Sequence, residues 1–125
     1  TAASKFKCYD DYANPNNVKV IFGKNNFAIY FSRSKIPHFI SNESNSWDSD
    51  ISFHHIGLYG YTPELLRSFC SYPESKHEAA EKLEQLRAID NNIRIRVFEY
   101  HGNHIKGIDT LDDLAEIKKF MINQS

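Results

Sequence analysis

Residues 18–31 read VKVIFGKNNFAIYF, and this stretch dictates much of what the chain can become. Val18, Val20 and Phe22 fall on one face of the first run, because strand side chains alternate with period two. Gly23-Lys24-Asn25-Asn26 then marks a turn, since Gly and Asn accept positive φ. FAIYF (27–31) returns along the first run, so 18–31 predicts a β-hairpin. Its apolar face must be covered by another layer.

The rest of the chain predicts that layer. SRSKIP (32–37) leaves the strand, and Pro37 ends any ladder. ISNESNSWDSD (40–50) is polar and turn-rich and predicts a mobile loop. FHHIGLYGY (53–61) predicts a further strand. Thr62-Pro63 is a helix start, Thr at the N-cap and Pro at the first helical position, with Leu65, Leu66 and Phe69 as the apolar face. Ser75-x-x-Glu78 is a capping box opening a second helix. Its predicted buried stripe is Ala79, Ala80, Leu83, Leu86 and Ile89, and Asp90-Asn91-Asn92 ends it. IRIRVFEY (93–100) predicts a strand with Ile93, Ile95 and Val97 inward. HGNHIKG (101–107) predicts a loop. Thr110 caps a last helix, whose positive N-terminal end Asp112 and Asp113 suit; Leu114, Ile117 and Phe120 or Met121 face the core. Two strands, a loop, a strand, two helices, a strand, a loop and a helix give an α/β layered fold with a mixed sheet.

Charge and composition narrow the function. A net charge of -1 argues against nucleic acid, whose phosphates call for a clustered Lys/Arg excess. No apolar run approaches the roughly 20 residues of a membrane helix, and the N-terminus carries no signal-peptide pattern. Cys8 and Cys70 lie far apart without metal-like spacing and read as free thiols in a reducing cytoplasm. The chain opens at Thr1 without a Met, which fits a processed start or part of a longer polypeptide.

Several polar residues stand where packing does not ask for them. FHHIGLYGY opens on His54 and His55 and closes on Tyr59 and Tyr61, an unusual load of polar-tipped rings for one strand. His55 and Tyr59, four apart, would share a face. Arg33 follows the hairpin, Glu84 and Gln85 flank the stripe of the second helix, and Asp109 sits between a loop glycine and a helix cap. Ligands of open α/β sheets collect where strands run out into such loops. Each residue also fits a structural role: a solvated strand-end charge, a hydrogen-bonded pair, helix surface, a capping aid. His101-x-x-His104 gathers no convincing zinc set, and phosphate loops, G-x-S-x-G elbows and H-E-x-x-H are missing.

In order and spacing, NPNNVKVIF, YFSRSKIP, HHIGLYGY, EKLEQLR and GIDTLDDL together resemble the bacterial CMP-Kdo synthetases (3-deoxy-manno-octulosonate cytidylyltransferases), from about Tyr12 to Phe120. The resemblance implies the C-terminal part of a nucleotide-diphospho-sugar transferase (Rossmann-like) fold. It further implies a cytoplasmic, usually homodimeric, magnesium-dependent enzyme. There the anomeric hydroxyl of Kdo, an acidic eight-carbon sugar, attacks the α-phosphorus of CTP and releases pyrophosphate, and the product feeds lipopolysaccharide assembly. Carried over by motif, Arg33 would meet the sugar's carboxylate, as a planar guanidinium can. His55, Tyr59, Glu84 and Gln85 would contact sugar hydroxyls, and Asp109 would bind magnesium, a hard cation that prefers carboxylate oxygen.

Three departures stand out. His54 replaces a usual arginine. Glu74-Ser75-Lys76 replaces Pro-Ser-Pro, keeping only the capping serine. The N-terminal half of the family, with its P-A-R-x-x-S-x-R-x-P-x-K loop and Q-G-D-x-P segment, has no counterpart in 1–125. The expectation is therefore the sugar-binding and dimerisation half of a roughly 250-residue enzyme, without the CTP-binding half and inactive alone. The alternatives are a non-catalytic sugar-acid binding module and a dimerisation module built on the hairpin edge.

Overall fold

The computed structural model describes residues 1–40 and 45–102. Five strands form one sheet in the order β3-β2-β4-β1-β5: β1 (Ala2–Lys5), β2 (Lys19–Phe22), β3 (Ala28–Ser32), β4 (Phe53–Ile56) and β5 (Phe98–Glu99). The first four pair antiparallel and β5 runs parallel to β1, so the sheet is mixed as expected. The predicted hairpin is β2–β3, with Asn26 at φ 58° in its turn.

Register explains both faces. Val20 lies between Phe31 and Phe53, and Ala3 lies opposite His55. These residues face the core, where Leu83, Leu86 and Val97 complete the cluster. One position along, Ser4, His54, Lys19 and Ser32 align across β1, β4, β2 and β3 on the opposite face. There α1 (Tyr9–Ala13) supplies Tyr12, and Phe6, Trp47 and His54 build an aromatic layer, with Phe6 stacked on His54 at 5.3 Å and Tyr12 on Trp47 at 5.7 Å. The paired histidines thus point opposite ways, as alternation demands.

Four expectations need correction. The first strand and first helix, β1 and α1, were not anticipated, although β1 lies between β4 and β5. The run 53–61 is strand only to Ile56; the Leu58 amide bonds back to the Ile56 carbonyl at 2.6 Å and the chain turns away. The second helix is two: α3 (Lys76–Glu81) ends where Lys82 takes φ 54°, and α4 (Gln85–Asp90) follows. The break leaves Ala80 exposed and puts Ala88 in the core. Of 93–100 only β5 is strand, with Arg96 in an isolated bridge to Phe27, although Val97 is buried as expected.

The local signals hold elsewhere. In α2 (Pro63–Ser71) the Thr62 hydroxyl accepts from the Leu65 amide at 3.3 Å, and Phe69 is buried while Leu66 is exposed. The capping box forms in both directions, Glu78 N–H to Ser75 Oγ at 3.2 Å and Ser75 N–H to the Glu78 carboxylate at 3.1 Å. Arg87 Nε and Nη2 donate to the same carboxylate, and this bonding holds Glu78 below the usual carboxylate range. Cys8 and Cys70 are free and exposed. The predicted last helix, with Thr110 and Asp109, lies outside the described residues, as do 41–44 of the predicted loop.

Candidate active site

The site starts at the end of β4. His55 is buried, with Phe31 edge-on at 5.0 Å and the Tyr59 ring at 5.4 Å. Its Nε2 lies 3.0 Å from Thr1 Oγ1, a hydroxyl that can donate to the Leu58 carbonyl at 2.8 Å or the Ile56 carbonyl at 3.3 Å. With that proton on a carbonyl, His55 Nε2 is assigned as the donor to Thr1 Oγ1. Burial drives the His55 pKa down to about 4, with His54 adding to the effect.

Beyond Ile56 the chain carries Tyr59 and Tyr61 into a chain of rings. Tyr59 meets Tyr61 at 5.9 Å, Tyr61 meets Phe69 at 5.8 Å, and the Arg87 guanidinium lies over Phe69 at 5.1 Å. The Tyr59 hydroxyl is buried and has no hydrogen-bond partner among the described residues. Burial raises its pKa far above the phenol's ordinary value, with Tyr61 adding to the effect and the Thr1 side chain opposing it. Tyr59 lines a cavity of about 400 Å³ together with Leu58, Tyr61, Phe69, Arg94 and Arg96. Buried polar groups are nearly always paired; the Tyr59 hydroxyl, like Ser4 Oγ and Ser52 Oγ, is closed off from solvent and has no partner among the described residues.

Glu84 and Gln85 stand at the α3–α4 break rather than along one helix. Glu84 is exposed, lies within electrostatic reach of Tyr59 and Tyr61, and lines a separate pocket with Glu74, Glu78 and Lys82. Gln85 is buried in the first turn of α4. The structure thus brings His55 and Tyr59 together, while Glu84 and Gln85 stand side by side at the start of α4.

Arg33 belongs to a second cluster, at the end of β3. Its Nε donates to the Glu81 carbonyl at 2.8 Å, Nη1 to the Pro15 carbonyl at 3.4 Å and Nη2 to the Lys82 carbonyl at 3.5 Å. The two outer bonds are long for N–H···O, so the fork is held mainly through Nε. The Glu81 carboxylate accepts from Ser32 Oγ at 2.6 Å and from the Arg33 amide at 2.9 Å. Glu81 and Tyr61 had not been singled out as site residues. Tyr61 was legible in the ring-rich stretch itself, whereas Glu81 is exposed as a partner only by the left-handed turn at Lys82.

Among the described residues, no group of three or more His, Cys, Asp or Glu side chains is placed to hold a metal ion. Asp109, the expected magnesium ligand, lies outside them. No described helix is long and apolar enough to cross a membrane.

The mixed sheet with helices packed on both faces is that of a nucleotide-sugar transferase. It matches a solved structure of CMP:2-keto-3-deoxy-manno-octonic acid synthetase complexed with CTP, with a TM-score of 0.83 and 33% identity, over 100% of this chain and 49% of that one. The chain belongs to the cytidylyltransferase family, whose profile matches residues 1–95. It is 41% identical over 127 residues to the 3-deoxy-manno-octulosonate cytidylyltransferase of Trichlorobacter lovleyi, covering 97% of this chain and 50% of the relative. It is 44% identical over 125 residues to the enzyme of that name from Thermodesulfovibrio yellowstonii, covering 95% and 47%. The chain therefore spans about half the length of the curated relatives it matches.

Proposed function

We propose that this chain is the sugar-binding half of an enzyme that transfers the cytidylyl group of CTP to Kdo, giving CMP-Kdo and pyrophosphate. The observation that carries this reading is Tyr59, on the lining of a cavity of about 400 Å³ and in ring contact with buried His55, in a chain about 40% identical to enzymes of that name. A polyol is the fitting occupant. Its hydroxyls satisfy buried donors and acceptors without bringing charge into an apolar wall, and a site left with unpaired polar groups rejects analogues that lack them. Tyr59 Oη would take one hydroxyl, neutral His55 would orient its neighbourhood, and Glu84 and Gln85 would bond others. Arg33 would release its two long bonds to grip the sugar's carboxylate.

The reaction is attack of the anomeric hydroxyl on the α-phosphorus with departure of pyrophosphate. In it this half binds and orients the nucleophile, and positioning of that kind is a main source of rate in phosphoryl transfer. Magnesium would supply charge neutralisation at the phosphates. Asp109 would be one of its ligands, and the remaining ones and the CTP contacts would come from outside 1–125. We further propose a cytoplasmic homodimer, for which the β3 edge with its exposed Ile29 offers a contact. Calorimetric titration of Kdo into the full-length polypeptide carrying this chain tests the reading. Saturable binding weakened about tenfold by Tyr59→Phe, one lost hydrogen bond, is expected; no binding, or binding indifferent to Tyr59→Phe and Arg33→Ala, would overturn it.

A further inference from the structure

Lys19 occupies a place where a lysine is costly. It is fully buried in the middle of the sheet's second face, between His54 and Ser32, and among the described residues it has no ion-pair partner. Desolvating an ammonium without a contact counter-ion is unfavourable, so the bonds it does make must be specific. Nζ donates to the Asn14 carbonyl at 2.7 Å and to the Arg33 carbonyl at 2.9 Å, and lies 6.0 Å from the centre of the Tyr12 ring. Glu81, at the end of α3, favours its charge, while Arg33 and Lys35, following β3, oppose it.

These bonds converge on one residue. The Arg33 amide is taken by the Glu81 carboxylate and the Arg33 carbonyl by Lys19, so both polar atoms of its main chain are fixed. The Asn14 carbonyl that Lys19 also holds belongs to the turn whose next residue, Pro15, accepts from the Arg33 fork. One ammonium ties down both the arginine and the turn against which its guanidinium rests. We infer that Lys19 is a positioning residue for Arg33: it aims the guanidinium at the acidic group of the sugar without touching substrate.

This inference rests on the reading of Arg33 as the carboxylate partner, and its test separates the two. In the full-length enzyme, pyrophosphate release gives KM for Kdo and for CTP separately. Arg33→Ala and Lys19→Met should each raise KM for Kdo about tenfold, the size of one charge-assisted hydrogen bond, and leave KM for CTP within about twofold. The double variant should be no worse than Arg33→Ala, because residues acting through one group are not additive. A Lys19→Met enzyme with unchanged KM for Kdo, or a fully additive double variant, overturns the inference while leaving Arg33 in place. An Arg33→Ala enzyme with unchanged KM for Kdo overturns the reading of Arg33, and the inference with it. Should Lys19→Met not fold, the wild-type pH profile decides. Burial lowers the Lys19 pKa to about 8, so KM for Kdo should climb as pH rises through that value and Lys19 loses its charge. In Arg33→Ala the climb should vanish; a flat wild-type profile, or an identical climb in Arg33→Ala, overturns the inference.

Discussion

Replacing His55 by Gln should remove a specific acid sensitivity from the fold. The histidine ionises near 6.5 when unfolded but only near about 4 when folded, because burial beside Phe31 and Tyr59 penalises the cation. Between those values the unfolded chain binds a proton that the folded chain refuses, so stability falls as pH falls. The contribution of neutral His55 is fully present above about pH 6.5 and is lost progressively toward pH 4, by about 1.4 kcal/mol per unit and about 3 kcal/mol in all. Glutamine keeps a donor for Thr1 Oγ1 without titrating, so other acid-sensitive groups cancel when the two proteins are compared. Urea unfolding at half-unit steps from pH 7.5 to 4 should therefore show wild type losing about 3 kcal/mol more than His55→Gln. Parallel curves would refute the reasoning, and so would a His55 ring resonance that titrates near 6.5 in the folded protein.

Three further outcomes follow from the packing. Leu86 is fully buried in the core; Leu86→Ala should cost roughly 3 kcal/mol and lower Tm by roughly 10 °C in a circular-dichroism melt. Ser75→Ala removes the side-chain acceptor of the capping box and should cost about 1 kcal/mol in urea unfolding. Tyr59→Phe deletes a buried hydroxyl without a described partner; it should raise unfolding free energy by about 1 kcal/mol while weakening Kdo binding, so that stability and affinity move in opposite directions.

Local chemistry was legible where a signal was complete within a few residues. The hairpin, the Thr62-Pro63 start and the Ser75–Glu78 box all formed as the sequence predicted. What could not be read depended on distant partners. TAASKFK has no strand pattern of its own, and β1 exists because β4 and β5 bond to it from both sides. The stripe through 79–89 has helical spacing throughout, yet Lys82 turns left-handed and the Glu81 carboxylate bonds Ser32 and Arg33. That break is what puts Glu84 at the N-cap of α4. Alternation along 93–100 suggested a long strand, but only two residues find a ladder partner in β1. His55 and Tyr59 do come together, with ring centres 5.4 Å apart. Nothing in the sequence revealed that Lys19 would be buried, because a lysine between two apolar residues of a strand reads as solvent-facing.

The most direct test of the central claim is pyrophosphate release from CTP and Mg²⁺, with and without Kdo, by the full-length polypeptide and by residues 1–125 alone. The account predicts Kdo-dependent release by the full-length protein and none by 1–125, with Arg33→Ala and Tyr59→Phe impairing the former through KM for Kdo. Kdo-dependent release by 1–125 alone, or a full-length protein that releases no pyrophosphate with Kdo, would contradict it.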